Sequence, residues 1–566
     1  MCKQLPYTRH SKSNICIIGA GAAGLYTAMI LDSLDLPYEI LEASERVGGR
    51  LFTYHFPQGS KYDYYDVGAM RFPDTPYMRR TFDLVRDRLS LSSKLIPYKF
   101  HADNNLMYFN HRRYQPYPPP SSPPADPFGA RGYVPDKYLS PENPAAIVDK
   151  VLEPWRKPFE VNIETALQNL YTQDKYTMRS HMSLKCDPPY PSSVINWCET
   201  MDESTKAYDR AFVETVLDSV AFQFPGKKEY LWYCFDGGSS ILPEAMKQHI
   251  NLEQQIDPKQ STRIKYRKRV QTIIGDPSVS DIYLSVEGEN KPRKYTAVFC
   301  TAPLPAVRSM DLEHCGLDYA TWNAIRGLQY GSATKIGILF SEPWWRNKDK
   351  LETGPIEGGQ STTDLMLRTI VYPSYPELGT PSNVIIASYC WTQDAERMGG
   401  LIQGQSNSPT GPDLIELVLR ELAKVHGIDF SYLKSLYKDY HAFSWTHDPS
   451  TLGAFAFFGP HDFEFMNSVF NNLTKPICGG KLFFAGEATS SCHAWVAGAL
   501  ESSWRAVDMY LQLHHTKEMR HKFHSLWGSS EYWPESYLQD QIRIGLSQSM
   551  KEPWTAIPGY PTHPIV

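Results

Sequence analysis

Residues 15–24 read ICIIGAGAAG, and the stretch runs on through AAGLYTAMILDSL to LEASERVGGR, which ends at Arg50. The apolar, partly β-branched opening fits a buried parallel strand, and the segment after it carries helical spacing. Between them lies Gly19-x-Gly21-x-x-Gly24, with Ala22 and Ala23 opening the helix. Gly19 permits a tight turn, Gly21 lets backbone approach a pyrophosphate, and Gly24 lets helix and strand pack closely. The helix N-terminus offers free N–H groups and a positive dipole end to phosphates. A second strand, YEIL, leads to Glu42 and Ala43, with Glu42 placed 18 residues past Gly24. A carboxylate there accepts from ribose hydroxyls and disfavours a 2′-phosphate, which leaves NAD and FAD. A bare structural glycine turn would need none of this strand–turn–helix–strand–Glu order.

The residues after Glu42 choose between the two. Arg46, Gly48, Gly49 and Arg50 form R-x-G-G-R, and DVGAMRF follows at residues 66–72. Here the chain resembles the flavin-containing amine oxidase family, and within it the L-amino-acid oxidases of fungal and snake-venom type. The resemblance recurs from about Asn14 to about Tyr510. It implies an α/β fold: a discontinuous, Rossmann-like FAD-binding domain, a substrate domain built on a mixed sheet, and a helical subdomain. It places Arg50, Gly68, Ala69, Met70, Val270 and Val496 along FAD. It also pairs Arg71 with a substrate carboxylate. The side chain suits that role by itself, being planar, permanently charged and able to bind a carboxylate through two parallel hydrogen bonds. The plain alternative is an arginine bridging a cofactor phosphate or a surface acid.

FAGE, residues 484–487, matches the family's second flavin fingerprint, with Gly486 allowing close approach and Glu487 accepting from the ribityl or pyrophosphate region. Leu452–Pro460 has no cysteine where monoamine oxidases attach flavin, so FAD is expected to be non-covalent. The family also implies that Lys335 holds a water beside flavin N5 and that Tyr389 shares the carboxylate with Arg71. Trp495 would flank the flavin ring, and the Ala494 carbonyl would accept from the substrate amine. Phe455, Trp391 and Trp445 are further pocket candidates, and Trp391 shares a strand face with Tyr389. Each of these residues has a bland reading: core packing for the aromatics, a strand-edge cation for Lys335. Asp218, one helical turn from Phe222, would favour basic side chains if it faces the pocket and is a solvated helix acid if it does not. No histidine matches the base proposed for some relatives, since Phe222 and Gln223 occupy that segment.

The reaction so implied is oxidation of an L-amino acid by hydride transfer from Cα, giving a 2-oxo acid, ammonia and hydrogen peroxide, with oxygen as acceptor on family grounds alone. An amine or polyamine oxidase has no use for a carboxylate clamp, so Arg71 separates the two readings. A flavin-fold binding protein without turnover is the third.

Length predicts two or three domains, and composition is that of an ordinary soluble globular protein. The chain has 566 residues, 42% hydrophobic and 21% charged, with net charge −5 and no long single-sign run. That excludes a basic nucleic-acid footprint. No apolar run reaches the ~18 residues a membrane helix needs. The ten cysteines show no metal-ligand spacing, so no metal is expected. With no signal-peptide pattern at its start, the chain reads as cytoplasmic, although a removed leader would leave the same start. A homodimer follows only by analogy with relatives. The expected pieces are FAD-binding at 11–72, 232–330 and 475–512, substrate-binding at 73–120 and 331–474, helical at 121–231, and a C-terminal tail at 513–566. KIGILF, VIIASYCW and GAFAFF are the candidate strands of the substrate sheet.

Overall fold

A five-stranded parallel sheet carries the first motif. Its order is Ile264–Lys265, Tyr38–Leu41, Ile15–Ile18, Ala297–Cys300, Leu482–Phe484. ICII and AVFC are buried throughout, which is why they read as unbroken apolar runs. Strands separated by more than 400 residues of sequence thus share one sheet, bridged by Ala297–Cys300. Helices Ala22–Ser33 and Val496–His514 pack on each other, with Ser503 Oγ donating to the Ala23 carbonyl at 3.0 Å. The structure is a computed structural model, and it describes residues 14–548 except 119, 123, 140–143, 203, 228, 253–262, 276–279, 376–380, 403–411 and 464–467.

The second sheet has seven strands, ordered Tyr437–Ser444, Ala333–Phe340, Val384–Trp391, Thr369–Val371, Gln360–Thr363, Met107–Phe109, Arg112–Tyr114. All neighbours are antiparallel except Gln360–Thr363 with Met107–Phe109. KIGILF and VIIASYCW lie in this sheet as expected. GAFAFF does not: only Phe455–Ala456 is strand, and it pairs with Tyr330–Gly331 in a separate ribbon. Helices Pro144–Arg156, Ile163–Tyr171, Met178–Leu184, Ser192–Asp202 and Phe212–Phe222 make up the helical region.

The tail, aperiodic in sequence, forms helices Lys517–Trp527 and Glu535–Gln548 against the cofactor domain. Arg80 ties it down, its Nε donating to Glu501 at 2.7 Å and its NH1 to the Trp527 carbonyl at 3.1 Å. Residues 549–566 lie outside the described ones. Among the described residues no helix is long and apolar enough to cross a membrane.

Candidate active site

The first turn is built as its glycines suggest. Gly19 has φ +98°, a conformation that L side chains rarely adopt. A Cβ at Gly24 would lie 2.0 Å from the Gly19 carbonyl, so Gly24 is a packing residue and touches no ligand space. A Cβ at Gly21 would meet nothing within 4 Å and would project into an open cradle. Gly21 also caps the helix without any side-chain hydrogen bond, leaving the first helical N–H groups free. Glu42 closes the turn from behind: its Oε2 accepts from Ala20 N at 2.7 Å and its Oε1 from Ser44 N at 2.8 Å. Gly48 (φ +102°) donates to the Ala20 carbonyl at 2.8 Å and folds R-x-G-G-R over the same turn.

This turn opens into a cavity of about 930 Å³, near the top of the range for small-molecule sites, roughly 300–1,000 Å³. Every residue singled out from the sequence lines it, Gly24 excepted: Gly19, Gly21, Ala22, Ala23, Glu42, Ala43 and Arg50 at one end, Tyr389 and Trp391 among those at the other. Arg50 donates to Glu487 Oε1 at 2.7 Å and to the Ala454 carbonyl at 2.9 Å. Glu487 also accepts from Ala456 N at 3.1 Å and Ala494 N at 3.2 Å. Burial opposes its charge, yet Arg50 and these donors hold the carboxyl below the usual range. Glu487 is thus a bracket between three chain segments, and its carboxylate is taken up by protein donors rather than held open for the cofactor.

Lys335 stands at the centre. It is the third residue of strand Ala333–Phe340 and only 2% exposed, so it is not a solvated strand-edge cation. Its Nζ donates to the carbonyls of Gly68 at 2.6 Å and Asp66 at 2.9 Å. The sheet register sets Lys335 opposite Tyr389, which puts the ammonium over the Tyr389 ring at 4.5 Å. Burial pushes the ammonium down to about 7, with Arg71 adding to the shift and Asp66 opposing it.

Arg71 is 9% exposed and lies between two rings, 4.8 Å from the Phe100 centroid and 4.9 Å from that of Phe222. Gln360 Oε1 at 3.4 Å is its hydrogen-bond acceptor. Among the described residues no carboxylate lies within ion-pair distance of it. Phe222 also meets Trp495 edge-on at 5.2 Å, which joins the clamp to the expected flavin-flanking tryptophan. Ala494 carries φ +64°, a strained conformation for a residue with a Cβ, held here by the Glu487 bracket. Trp391 meets Tyr389 edge-on at 5.2 Å. Trp445 reaches the cavity but is 4% exposed and fixed by Nε1 donating to the Val67 carbonyl at 3.2 Å, a floor beneath Gly68 and not a freely facing wall.

Asp218 faces the cavity, but as half of an ion pair: Arg210 NH2 donates to its Oδ2 at 3.2 Å. A lone carboxylate for basic side chains is therefore not what the structure presents. Sequence reasoning missed Arg210, Glu214, His493, Phe100 and Gln360. Glu214, Asp218 and Phe222 recur every four residues on one helix and all line the cavity; that spacing was the available signal. His493 Nδ1 and Glu214 Oε2 are 2.9 Å apart, both buried. Burial opposes the imidazolium, but Glu214 outweighs it and raises the His493 pKa. No signal in the sequence pointed to that pair, because its members are 279 residues apart.

Comparison with known proteins agrees with this geometry. Residues 22–509 match the model of the flavin-containing amine oxidoreductases. L-amino-acid oxidase 4 of Hebeloma cylindrosporum is 41% identical over 564 residues, which cover 94% of this chain and 87% of that protein. A putative bifunctional amine oxidase of Dictyostelium discoideum is 38% identical over 90% of this chain and 47% of its own. The L-amino-acid oxidase of Bungarus fasciatus is 25% identical over 87% and 86%. Putrescine oxidase shares the fold, with TM-score 0.63 at 14% identity over 88% of this chain and 98% of its own. The uncapped helix, the open cradle at Gly21 and the glycine-lined path past Arg50 fit a flavin dinucleotide. With FAD as its cofactor, the chain belongs to the flavin-containing amine oxidoreductase family.

Proposed function

We propose that the protein oxidises L-amino acids to 2-oxo acids, releasing ammonia and hydrogen peroxide, with FAD held non-covalently. The observation that carries this reading is Arg71: a buried guanidinium, ordered between Phe100 and Phe222, with no anion of the protein's own in ion-pair reach among the described residues. An unpaired buried charge is costly, so its retention at the end of the cavity suits a ligand that brings the carboxylate.

When bound, FAD supplies acceptance of hydride from Cα and its return to oxygen as peroxide. The chain's own residues do the positioning. Arg71 and Tyr389 hold the α-carboxylate, Phe222 and Trp495 close one side, and Phe455 the other. The Ala494 carbonyl, turned by its positive φ, accepts from the amine. Lys335, near 7, can hold a water through the Nζ position its two carbonyl partners leave over, and can exchange a proton with it at neutral pH. The imino acid product then hydrolyses in water.

The relatives named as L-amino-acid oxidases support this reading. The test is anaerobic bleaching of the bound flavin at about 450 nm by L-amino acids, D-alanine, spermine and benzylamine. Bleaching by L-amino acids alone is expected. Bleaching by the amines alone would move Arg71 to a structural role and leave an amine oxidase; bleaching by neither would leave a binding module.

A further inference from the structure

The Arg210–Asp218 pair sits beside the clamp, and its two members are not equally placed. Both line the cavity, but the Asp218 side chain is 22% exposed and that of Arg210 only 7%. Arg210 is thus the back of the pair and Asp218 its face. Arg210 also donates to Thr215 Oγ1 at 3.1 Å and lies over the Phe457 ring at 5.4 Å, which fixes it behind the carboxylate. Arg210 takes Asp218 Oδ2, and no protein donor among the described residues reaches Oδ1.

The helix sets the distance from the clamp. Phe222, whose ring packs on Arg71, is four residues past Asp218 on the same face. Four residues at 1.5 Å rise put Asp218 about 6 Å along from the ring that holds the guanidinium. A substrate side chain running along this helix face from an α-carbon whose carboxylate is on Arg71 would reach the pair, since all four residues line one cavity. Of the neighbouring acids, Glu214 faces His493, while Asp202 is exposed to solvent and accepts from the Tyr208 hydroxyl at 3.3 Å; Asp202 also feels the Arg210 charge, and Asp218 also feels Arg71.

We infer that Arg210 is a specificity-determining residue, which cancels the charge of Asp218 so that the pocket end accepts a hydrogen bond without attracting a cation. This rests on the amino-acid oxidase reading and sharpens it: the favoured substrates are long side chains that are uncharged and end in a donor, as in L-glutamine, ahead of L-lysine and L-glutamate. Asp218 Oδ1 takes the donor, while Arg210 prevents the net negative end that would select lysine and Asp218 prevents the net positive end that would select glutamate.

The test compares kcat/KM for L-glutamine, L-lysine and L-glutamate in the FAD-loaded wild type and in Arg210→Gln and Asp218→Asn. Arg210→Gln should raise the lysine-to-glutamine ratio by at least about tenfold, and Asp218→Asn should raise the glutamate-to-glutamine ratio by a similar factor. Opposite shifts from the two variants are the signature that a merely structural role would not produce. Ratios within twofold of wild type in a folded, flavin-loaded Arg210→Gln protein overturn the inference. If that variant does not fold, Asp218→Asn decides alone by the same criterion. Failure of the oxidase reading looks different, since then no L-amino acid bleaches the wild-type flavin at all.

Discussion

Arg71→Met is the substitution on which the carboxylate assignment stands or falls. Methionine keeps an unbranched chain between the Phe100 and Phe222 rings, so packing is largely retained while the charge and the N–H donors are lost. The guanidinium is 9% exposed, so a substrate carboxylate that lost it would be left in a buried site without a partner. Removing one member of a buried charged pair costs about 3–5 kcal/mol. At roughly 1.4 kcal/mol per decade, kcat/KM for L-amino acids should fall by about two to three and a half orders of magnitude. The clamp holds the carboxylate in ground and transition states alike, so most of the loss should appear in KM. The assay is steady-state peroxide release alongside anaerobic flavin reduction, with the absorbance spectrum confirming bound FAD. Amines without a carboxylate should stay as unreactive with the variant as with wild type, so the loss is read on carboxylate-bearing substrates alone. A flavin-loaded variant whose kcat/KM for L-amino acids stays within threefold of wild type would refute the reasoning.

Three further outcomes are expected. Gly21→Val should purify folded but without flavin, because its side chain meets only the open cradle, whereas Gly24→Val should not fold, because even a Cβ falls 2.0 Å from the Gly19 carbonyl; expression, circular dichroism and flavin content distinguish the two, and a flavin-loaded Gly21→Val protein would sink the cradle assignment. Glu487→Gln breaks the buried bracket to Arg50 and should lower Tm and weaken FAD binding. Because the Glu487 pKa is depressed, the stability it contributes is complete above the ordinary glutamate value, ~4.3, and is lost as pH falls through the depressed one, so the Tm gap to wild type should close in acid. A carboxylate inhibitor such as benzoate, by neutralising Arg71, should raise the Lys335 pKa from about 7; binding then takes up a proton, and affinity falls as pH rises above about 7. Calorimetry in buffers of differing ionisation enthalpy reads this directly, and Lys335→Met should abolish the slope.

The cofactor half of the fold was legible because its signals are local. A strand buried on both faces writes an unbroken apolar run, and a phosphate turn writes its glycines at fixed offsets, so ICIIGAGAAG and Glu42 carried position and purpose together. The substrate half was legible only in part. Lys335 and Tyr389 face each other through an antiparallel register across 54 residues, which no local pattern encodes; motif position alone identified them. GAFAFF looked like a sheet strand from its aromatics, but its neighbours belong to a two-stranded ribbon, and propensity does not report partners. Asp218 illustrates the limit most clearly: its helix and its pocket-facing side could be read from spacing, while its compensation by Arg210 depends on a turn ahead of the helix that brings a cation back against it.

The cavity's charges follow one rule. Four of its acids are answered from within the protein: Glu487 by Arg50, Glu214 by His493, Asp218 by Arg210, and Glu42 by the backbone N–H groups of Ala20 and Ser44. Arg71 and Lys335 are not answered by any anion in ion-pair reach among the described residues; one rests between rings and the other on two carbonyls. A site that compensates its acids and leaves two adjacent cations open has a standing positive potential at that end. Burial is the main reason that Lys335 is pushed down to about 7, and the neighbouring Arg71 charge adds to it. An anionic substrate relieves both at once, while a cationic diamine would add to the same repulsion. The preference for a carboxylate-bearing substrate therefore resides in what the protein leaves unpaired as much as in the arginine that makes the contact.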